Sequence, residues 1–234
     1  TGSNQYVGNW PGVTVDKKEG RFQLDGEEIR VVDLPGIYSL SPHTVEQKLA
    51  RDFLIEEKLD LIVNIVDAGN LERNLYLTYQ VLELGIPTII VLNMYDELEA
   101  SGSKVDVALM EKRLGAVVVP MCASKRKGIK EFLKRLSAIV HHPEKATKPF
   151  FPAYDRELMA LIGKSGLDLP YWKTLTLLEG ETETEEVGQF VETKESELAG
   201  LSKGKMEKLN ALAQDIRKLY GEDPEVAIPN LRYQ

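Results

Sequence analysis

Val31-Val32-Asp33-Leu34-Pro35-Gly36 is the stretch from which the rest of this sequence is best understood. Two β-branched residues end an apolar strand, and an acidic residue, a proline and a glycine follow within four positions. Such an Asp-x-x-Gly motif can serve a bound nucleotide, because Asp33 can hold a water on Mg²⁺ and Gly36 lets a backbone N–H approach the terminal phosphate. The same pattern also forms ordinary turns after strands. The residues at the other strand ends are therefore needed to distinguish a nucleotide site from an ordinary turn.

The residues on either side of this motif predict a hairpin and then a helix. Residues 13–24 alternate as a strand, Asp25-Gly26 is a typical hairpin turn, and residues 28–34 return antiparallel to the first strand. Residues 1–12 are rich in Gly, Asn and Ser and are predicted to form an irregular loop. Thr44-Val45-Glu46-Gln47 has the form of a capping box, which predicts a helix that runs to about residue 57.

Strands and helices alternate further along the chain. Apolar runs at 59–66, 88–92 and 117–121 predict strands, and the first of them has the continuous hydrophobicity of a strand buried on both faces. Helical patterns near 70–85, 106–114 and 128–140 lie between and after these strands, with Asn70 predicted to cap the first. Repeated βα units predict an α/β fold with a mostly parallel sheet, whose ligands bind beyond the carboxyl ends of the strands.

The pattern changes after residue 142, where a Pro-rich segment at 143–153 is interpreted as a linker. The sequence therefore predicts two domains, an α/β domain over 1–142 and a small helical domain over 154–234. Helices are expected in the second domain near 155–162, 171–178, 185–198 and 203–220. The acidic run at 179–186 and the adjacent histidines His141 and His142 are interpreted as surface features rather than metal sites.

Polar residues follow two more strands and also lie before the hairpin. Asn93 and Asp96 follow the strand at 88–92; a carboxylate there can read guanine by accepting from the ring N–H and the exocyclic amine, a pair that adenine lacks. The Asn amide can tie neighbouring loops together. Ala123 would offer its N–H to the guanine carbonyl, and Thr14 could bind Mg²⁺ and the terminal phosphate. Asn93 and Asp96 could instead only cap the next helix.

The loop at Cys122, Ala123 and Ser124 completes an order of motifs typical of Ras-like G domains: Thr, Asp-x-x-Gly, Asn-x-x-Asp, Cys-Ala-Ser. The segments GNWPGVTV (8–15), DLPGIYSL (33–40) and NLERNLYL (70–77) together resemble the cytosolic G-protein region of FeoB-type ferrous-iron transporters. This resemblance implies a Ras-like G domain followed by a helical domain. It also implies a GTPase coupled to Fe²⁺ uptake, at the cytoplasmic face of the inner membrane, through a membrane domain of the same full-length chain.

The resemblance also implies roles for individual residues. Thr14 and Gly36 would act in hydrolysis, and Thr14 and Asp33 would hold Mg²⁺. The backbone carbonyls of Gly8 and Trp10 would bind K⁺, although Trp10 could equally be a hydrophobic plug. GTP and GDP are the expected ligands. The residues expected to bind them, besides Thr14, lie at the strand ends: Asp33, Gly36, Asn93, Asp96, Cys122, Ala123 and Ser124. Self-association is left open.

Two features depart from the family pattern. The P-loop motif G-x-x-x-x-G-K-[ST] does not occur in the sequence, and Gly163-Lys164-Ser165 is a decoy because Leu158 stands where the first glycine should be. The family pattern thus implies that the first strand and the P-loop precede Thr1, and that this strand would lie between those ending at Asp33 and Asp67. The second departure is Ile37, where Ras-like proteins have a water-orienting Gln.

Composition narrows the classes of function. A net charge of −8 argues against a nucleic-acid partner, one cysteine excludes an internal disulfide framework, and no apolar run reaches the length of a membrane span. Two alternatives to a transporter GTPase stay open. One is a G-domain-derived interaction module that does not hydrolyse GTP, and the other is a soluble potassium-dependent GTPase that acts on RNA or ribosomes.

Overall fold

The computed structural model describes residues 5–10, 16–40, 44–142, 156–179, 198 and 200–232. Its strands are β1 (Gln5–Asn9), β2 (Asp16–Leu24), β3 (Glu27–Asp33), β4 (Ile62–Asp67), β5 (Thr88–Asn93) and β6 (Val117–Pro120). Its helices are α1 (Val45–Glu56), α2 (Leu71–Glu83), α3 (Tyr95–Ala100), α4 (Val107–Leu114), α5 (Ile129–His141), α6 (Arg156–Lys164), α7 (Tyr171–Glu179), α8 (Lys203–Tyr220) and α9 (Pro224–Arg232). None of these helices is both long enough and apolar enough to span a membrane.

Strands β1, β2 and β3 form an antiparallel sheet in that order. Asp25 and Gly26 connect β2 to β3 with φ values of 51° and 93°. Positive φ at both central residues is what the two-residue hairpin turn requires. The predicted hairpin is thus confirmed, and its register places Leu24 opposite Glu27 and Lys18 opposite Asp33.

Strand β1 corrects the loop predicted for residues 1–12. Its backbone pairs with β2 from Gln5 opposite Gly20 to Asn9 opposite Asp16. An edge of β2 offers unpaired N–H and C=O groups, and the hydrogen bonds gained there outweigh the local preference of a Gly- and Asn-rich segment for irregular structure.

Strands β4, β5 and β6 form a second, parallel sheet with β5 in the centre. One face packs against α2 and α4 through a buried cluster, whose members are Val66, Ala68, Leu82, Ile90, Leu92, Leu114, Ala116 and Val118. On the other face, Ile89 and Val119 pack against Leu136 and Ile139 of α5. Because helices cover both faces, β5 is buried along almost its whole length, as its apolar sequence predicts.

Strand β4 differs from the expectation that it is buried on both faces. Its residues alternate between buried and exposed, and the side chains of Val63 and Ile65 are 40% and 66% exposed. In the described residues, β4 pairs with β5 and β3 pairs with β2, and these two strands do not pair with each other. In the described residues β4 is therefore an edge strand of its sheet, and the side chains of Val63 and Ile65 lie on its solvent-exposed face.

Helix starts follow the predictions except at Asn70. The Thr44 hydroxyl accepts from the Gln47 N–H at 3.2 Å and the Gln47 side chain accepts from the Thr44 N–H at 3.1 Å, which confirms the capping box. The Asn70 side chain does not cap α2; it donates to Asp67 Oδ2 at 2.6 Å. The end of β4 supplies this carboxylate, an acceptor that the helical pattern alone does not reveal.

The C-terminal helices share one hydrophobic core, in which Leu158, Leu175, Ile216 and Ile228 are fully buried. Leu158 belongs to α6, so Gly163-Lys164-Ser165 lies at the end of a packed helix and is indeed a decoy. Helices α3 and α9 were not predicted. The linker at 143–153 and most of the helix expected at 185–198 lie outside the described residues.

Gly128 fixes the start of α5 behind the Cys122–Ser124 loop. Its φ is +83°, and a Cβ there would collide with the Pro120 carbonyl oxygen and lie 2.8 Å from Met121 Cγ. We therefore expect Gly128→Ala to lower the free energy of unfolding by about 2–4 kcal/mol, because it combines backbone strain with a clash. Urea unfolding followed by circular dichroism measures this change.

Gly163→Ala is the matched control for this substitution. Gly163 lies inside α6 and a Cβ there meets nothing within 4 Å, so this change should be neutral or stabilise by up to about 1 kcal/mol. Equal effects of the two substitutions would contradict the tight packing assigned to Gly128.

Candidate functional site

Backbone hydrogen bonds lock together the loops that follow β5 and β6. Met121 N–H donates to the Leu92 carbonyl at 2.8 Å, and Tyr95 N–H donates to the Met121 carbonyl at 3.1 Å. A side chain adds a third tie, because Ala123 N–H donates to Asn93 Oδ1 at 3.1 Å. Asn93 therefore joins the two loops, as its sequence position suggests, and its side chain caps no helix.

The Ala123 N–H differs from its predicted role in one respect. It was expected to face the carbonyl of a guanine base, but here it is engaged by Asn93. Guanine could take this N–H only if Asn93 gave it up.

Asp96 stands in the first turn of α3, beside the loop after β6. Its carboxylate accepts from Lys125 Nζ at 2.5 Å. This hydrogen bond, followed by a weaker one from Cys122, lowers the pKa of the Asp96 carboxyl to about 2. The group is therefore an anionic acceptor at physiological pH, which is the form needed to receive two N–H donors from a base.

Cys122 and Ser124 shape the loop beside Asp96. Cys122 is 5% exposed, its Sγ lies 3.4 Å from Ser124 Oγ, and its backbone exchanges hydrogen bonds with Lys127 at 3.1 and 3.2 Å. These contacts make Cys122 a small buried residue of the loop. Asn93, Asp96 and the Cys122–Ser124 loop thus form one compact group.

Asp33 and Gly36 form a second group at the end of β3. Both are exposed, and the chain that follows them rests on α2. Arg73 stacks on the ring of Tyr38 with its Cζ 4.1 Å from the ring centroid, and Leu40 N–H donates to Gln80 Oε1 at 2.8 Å. The loop that carries Gly36 is therefore anchored a few residues later.

The residues proposed to bind potassium, Gly8 and Trp10, lie before β2, as does Thr14. Gly8 sits in β1 opposite Lys17. Trp10 is 6% exposed, and its ring meets the Phe53 ring edge to face at 5.2 Å, so its side chain packs in the protein interior. Thr14 lies outside the described residues. Within the part of the chain that is described, no three His, Cys, Asp or Glu side chains cluster as a metal site.

Some side chains at the site had no predicted role. These are Lys125 in the loop after β6, and Arg73 and Gln80 on α2. Their contacts join residues 29 to 41 positions apart in the sequence. The spacing of Arg73 and Gln80, two turns apart on one helix face, is the one signal that could have suggested a shared contact.

Comparison with known proteins supports the resemblance that the motifs suggested. Residues 1–136 match the family model FeoB_N, described as ferrous iron transport protein B. The chain belongs to the FeoB family. The Fe(2+) transporter FeoB of Methanocaldococcus jannaschii is 40% identical over 240 residues, which cover all of this chain and 34% of the relative. This chain thus spans 34% of that relative, and 29% of the Fe(2+) transporter FeoB of Salmonella typhimurium, to which it is 36% identical.

Solved structures agree with this assignment. Mutants of S. thermophilus NFeoB bound to mGDP and to GMPPNP match the chain with TM-scores of 0.81 and 0.76, both at 36% identity. They cover 100% of this chain, which in turn covers 87% and 88% of them. The α/β G-domain fold with flanking helices is therefore confirmed.

The Lys125–Asp96 pair gives a test that needs no nucleotide. We expect Lys125→Gln to raise the pKa of the Asp96 carboxyl from about 2 towards the ordinary Asp value, because the main hydrogen bond that favours the anion is removed. Since the folded pKa is depressed, the stabilisation from this pair is complete above about pH 4 and is lost as the pH falls towards 2. Carboxyl ¹³C shifts recorded against pH measure the pKa.

Lys127→Gln is the control for this titration. It removes a cation two residues along the chain that is not among the groups that shift the Asp96 pKa. An Asp96 pKa that stays the same in Lys125→Gln would show that the short contact does not persist in solution.

Proposed function

We propose that this chain is a guanine-nucleotide-binding GTPase module that switches with its nucleotide state. The observation that carries the proposal is the anionic Asp96 carboxylate, held beside a loop that Asn93 fixes in place. A carboxylate at this position can accept from both the ring N–H and the exocyclic amine of guanine. Adenine cannot present this pair of donors, so the arrangement selects guanine.

Lys125 affects how Asp96 would bind guanine. Its ammonium neutralises Asp96 when no base is bound, and a guanine would have to share the carboxylate with it or displace it. Because Lys125 is largely exposed, displacement costs little. The lysine then keeps the carboxylate ionised without blocking the site.

The phosphate end of the nucleotide would lie near Asp33 and Gly36. Asp33 is an exposed carboxylate at a strand end, the type of oxygen donor that Mg²⁺ prefers, and Thr14 would be its partner. When bound, Mg²⁺ would neutralise charge on the phosphates. Gly36 would offer its N–H to the terminal phosphate. Ile37 cannot orient water as a Gln would, so the backbone or another group would have to hold the water. K⁺ bound by the carbonyls of Gly8 and Trp10 would add positive charge.

The role in the cell follows from the relatives, which are named Fe(2+) transporters and are about three times as long as this chain. The remaining part of such a protein would hold the membrane domain, and this module would lie at the cytoplasmic face of the inner membrane. We place the G domain at 1–142, the linker at 143–153 and the helical domain at 154–234. Nucleotide turnover would then gate or drive ferrous-iron uptake.

Asp96→Asn, made in the full-length protein, tests whether Asp96 recognises guanine. GDP affinity should fall about 100-fold or more, because two charge-assisted hydrogen bonds of about 1.5–3 kcal/mol each are lost. Xanthosine diphosphate should gain affinity, since its carbonyl replaces the exocyclic amine and can accept from the new amide. Calorimetric titration with both nucleotides measures the change.

Glu97→Gln is the matched control, because it removes a neighbouring carboxylate from the same helical turn. It should leave both affinities within about twofold. Unchanged GDP binding by Asp96→Asn would remove Asp96 from the site. Guanine binding without any GTP hydrolysis by the full-length protein would favour the non-hydrolysing module instead.

A further inference from the structure

One face of α2 carries four long polar or aromatic side chains: Arg73, Tyr76, Gln80 and Glu83. Their spacing of three, four and three residues places them in one line along the helix. We call these four residues the α2 stripe. The stripe contacts two separate parts of the chain, the loop after Gly36 and the last helix.

The first contacts hold the loop. Arg73 stacks on Tyr38 at 4.1 Å. Gln80 Oε1 accepts from Leu40 N–H at 2.8 Å and from the Ser39 hydroxyl at 3.2 Å. Gln80 and Leu40 are both buried, so the first of these hydrogen bonds is shielded from water and costly to lose. The loop thus has two anchors on the stripe within five residues of Gly36.

The other contacts hold Arg232 at the end of α9. Its Nε and Nη2 donate to the two Glu83 carboxylate oxygens at 3.1 and 2.8 Å, and both side chains are only 2% exposed. Glu179 of α7 lies 2.5 Å from the same guanidinium. Tyr76 adds its ring at 5.4 Å and its hydroxyl at 3.4 Å. One arginine therefore links two helices of the helical domain to the stripe.

The charges make this link hard to break. Burial by itself would lower the pKa of the Arg232 guanidinium, but Glu83 and then Glu179 outweigh it and hold that pKa well above its ordinary value. If Arg232 left, two buried carboxylates would face each other without a cation. Arg232 must therefore follow any movement of the end of α2.

The two sets of contacts meet in space. Leu40, Gln80, Glu83, Trp172 and Arg232 all line one cavity of about 30 Å³. Gln80 and Glu83 are one helical turn apart, so a shift of Leu40 alters the packing next to Arg232 directly. Gln80 and Glu83 thus connect the loop to the last helix within one turn of α2.

We propose that the α2 stripe couples the loop that carries Gly36 to the last helix, with Gln80 as the positioning residue of the loop. This inference rests on the proposed function, in which a terminal phosphate engages Gly36. A phosphate-driven shift of the loop would pass through Gln80 and Glu83 to Arg232 and so to α9. Coupling is reciprocal, so a change at Arg232 alters the loop by the same free energy.

The contact path can be tested without nucleotide by hydrogen–deuterium exchange of the full-length protein. Glu83→Gln keeps the shape of the side chain and removes its charge. We expect the Leu40 amide to exchange about 3–10 times faster, while amides of β5 stay unchanged. Glu111→Gln is the matched control, because its carboxylate also serves a partly buried partner, the Val118 N–H at 3.0 Å, but on α4. It should leave Leu40 unchanged.

Two results would overturn the path. One is unchanged exchange at Leu40 in Glu83→Gln. The other is equal acceleration at Leu40 and in β5, since it would indicate global destabilisation instead of a local link.

The nucleotide response is tested with Gln80→Met, which removes the acceptor for Leu40 N–H and preserves side-chain length. Exchange of GDP for GMPPNP should change amide exchange in α9 of the unaltered protein and not in Gln80→Met. GTP turnover should lose about tenfold in kcat with KM within threefold, because the loop matters once the terminal phosphate is present. An equal α9 response in both proteins would overturn the coupling.

These measurements separate the two proposals. If the unaltered protein binds no guanine nucleotide, the proposed function fails. The Glu83→Gln comparison, made without nucleotide, then still decides whether the stripe links the loop to α9.

Discussion

The parallel pairing of β5 with β4 and β6 is the interaction on which the rest of the structure depends. It buries Ile89, Ile90 and Leu92 completely and aligns three carboxyl ends at one edge. Because β6 begins beside Ile89 and ends beside Leu92, the loops after the two strands leave the sheet together. The bonds from Met121 and Tyr95 then fix those loops relative to each other. The position of the Asp96 carboxylate is thus a consequence of sheet register.

Much of this arrangement could be predicted because short stretches of sequence determine it. Asp25-Gly26 has the chemistry of a tight turn, Thr44 and Gln47 that of a capping box, and Gly115 that of a helix end with positive φ. Residues at the ends of apolar strands follow from the α/β pattern. Each of these features needs information from fewer than about ten neighbouring residues, which is why the sequence sufficed.

The rest depended on partners far away in the chain. Arg232 meets Glu83 across 149 positions, and nothing in the local sequence of either residue specifies the other. The pairing of β1 with β2 and the exposure of Ile65 depend equally on which surfaces lie nearby. Asn70 is a further case, because a good capping residue was recruited by a stronger acceptor at Asp67. A tertiary contact overrides the local preference of a residue where the contact stabilises the fold by more than that preference does.

The uncovered face of β4 also bears on how such a chain behaves at high concentration. Exposed β-branched side chains on a strand with an open edge are a template for strand addition from another molecule. Val63 and Ile65 lie on such a strand in the described residues, and Val31 on β3 is exposed as well. Colloidal stability, measured as the onset of light scattering, would therefore be governed by this strand more than by the packed helices, and a charged residue at position 65 would oppose association.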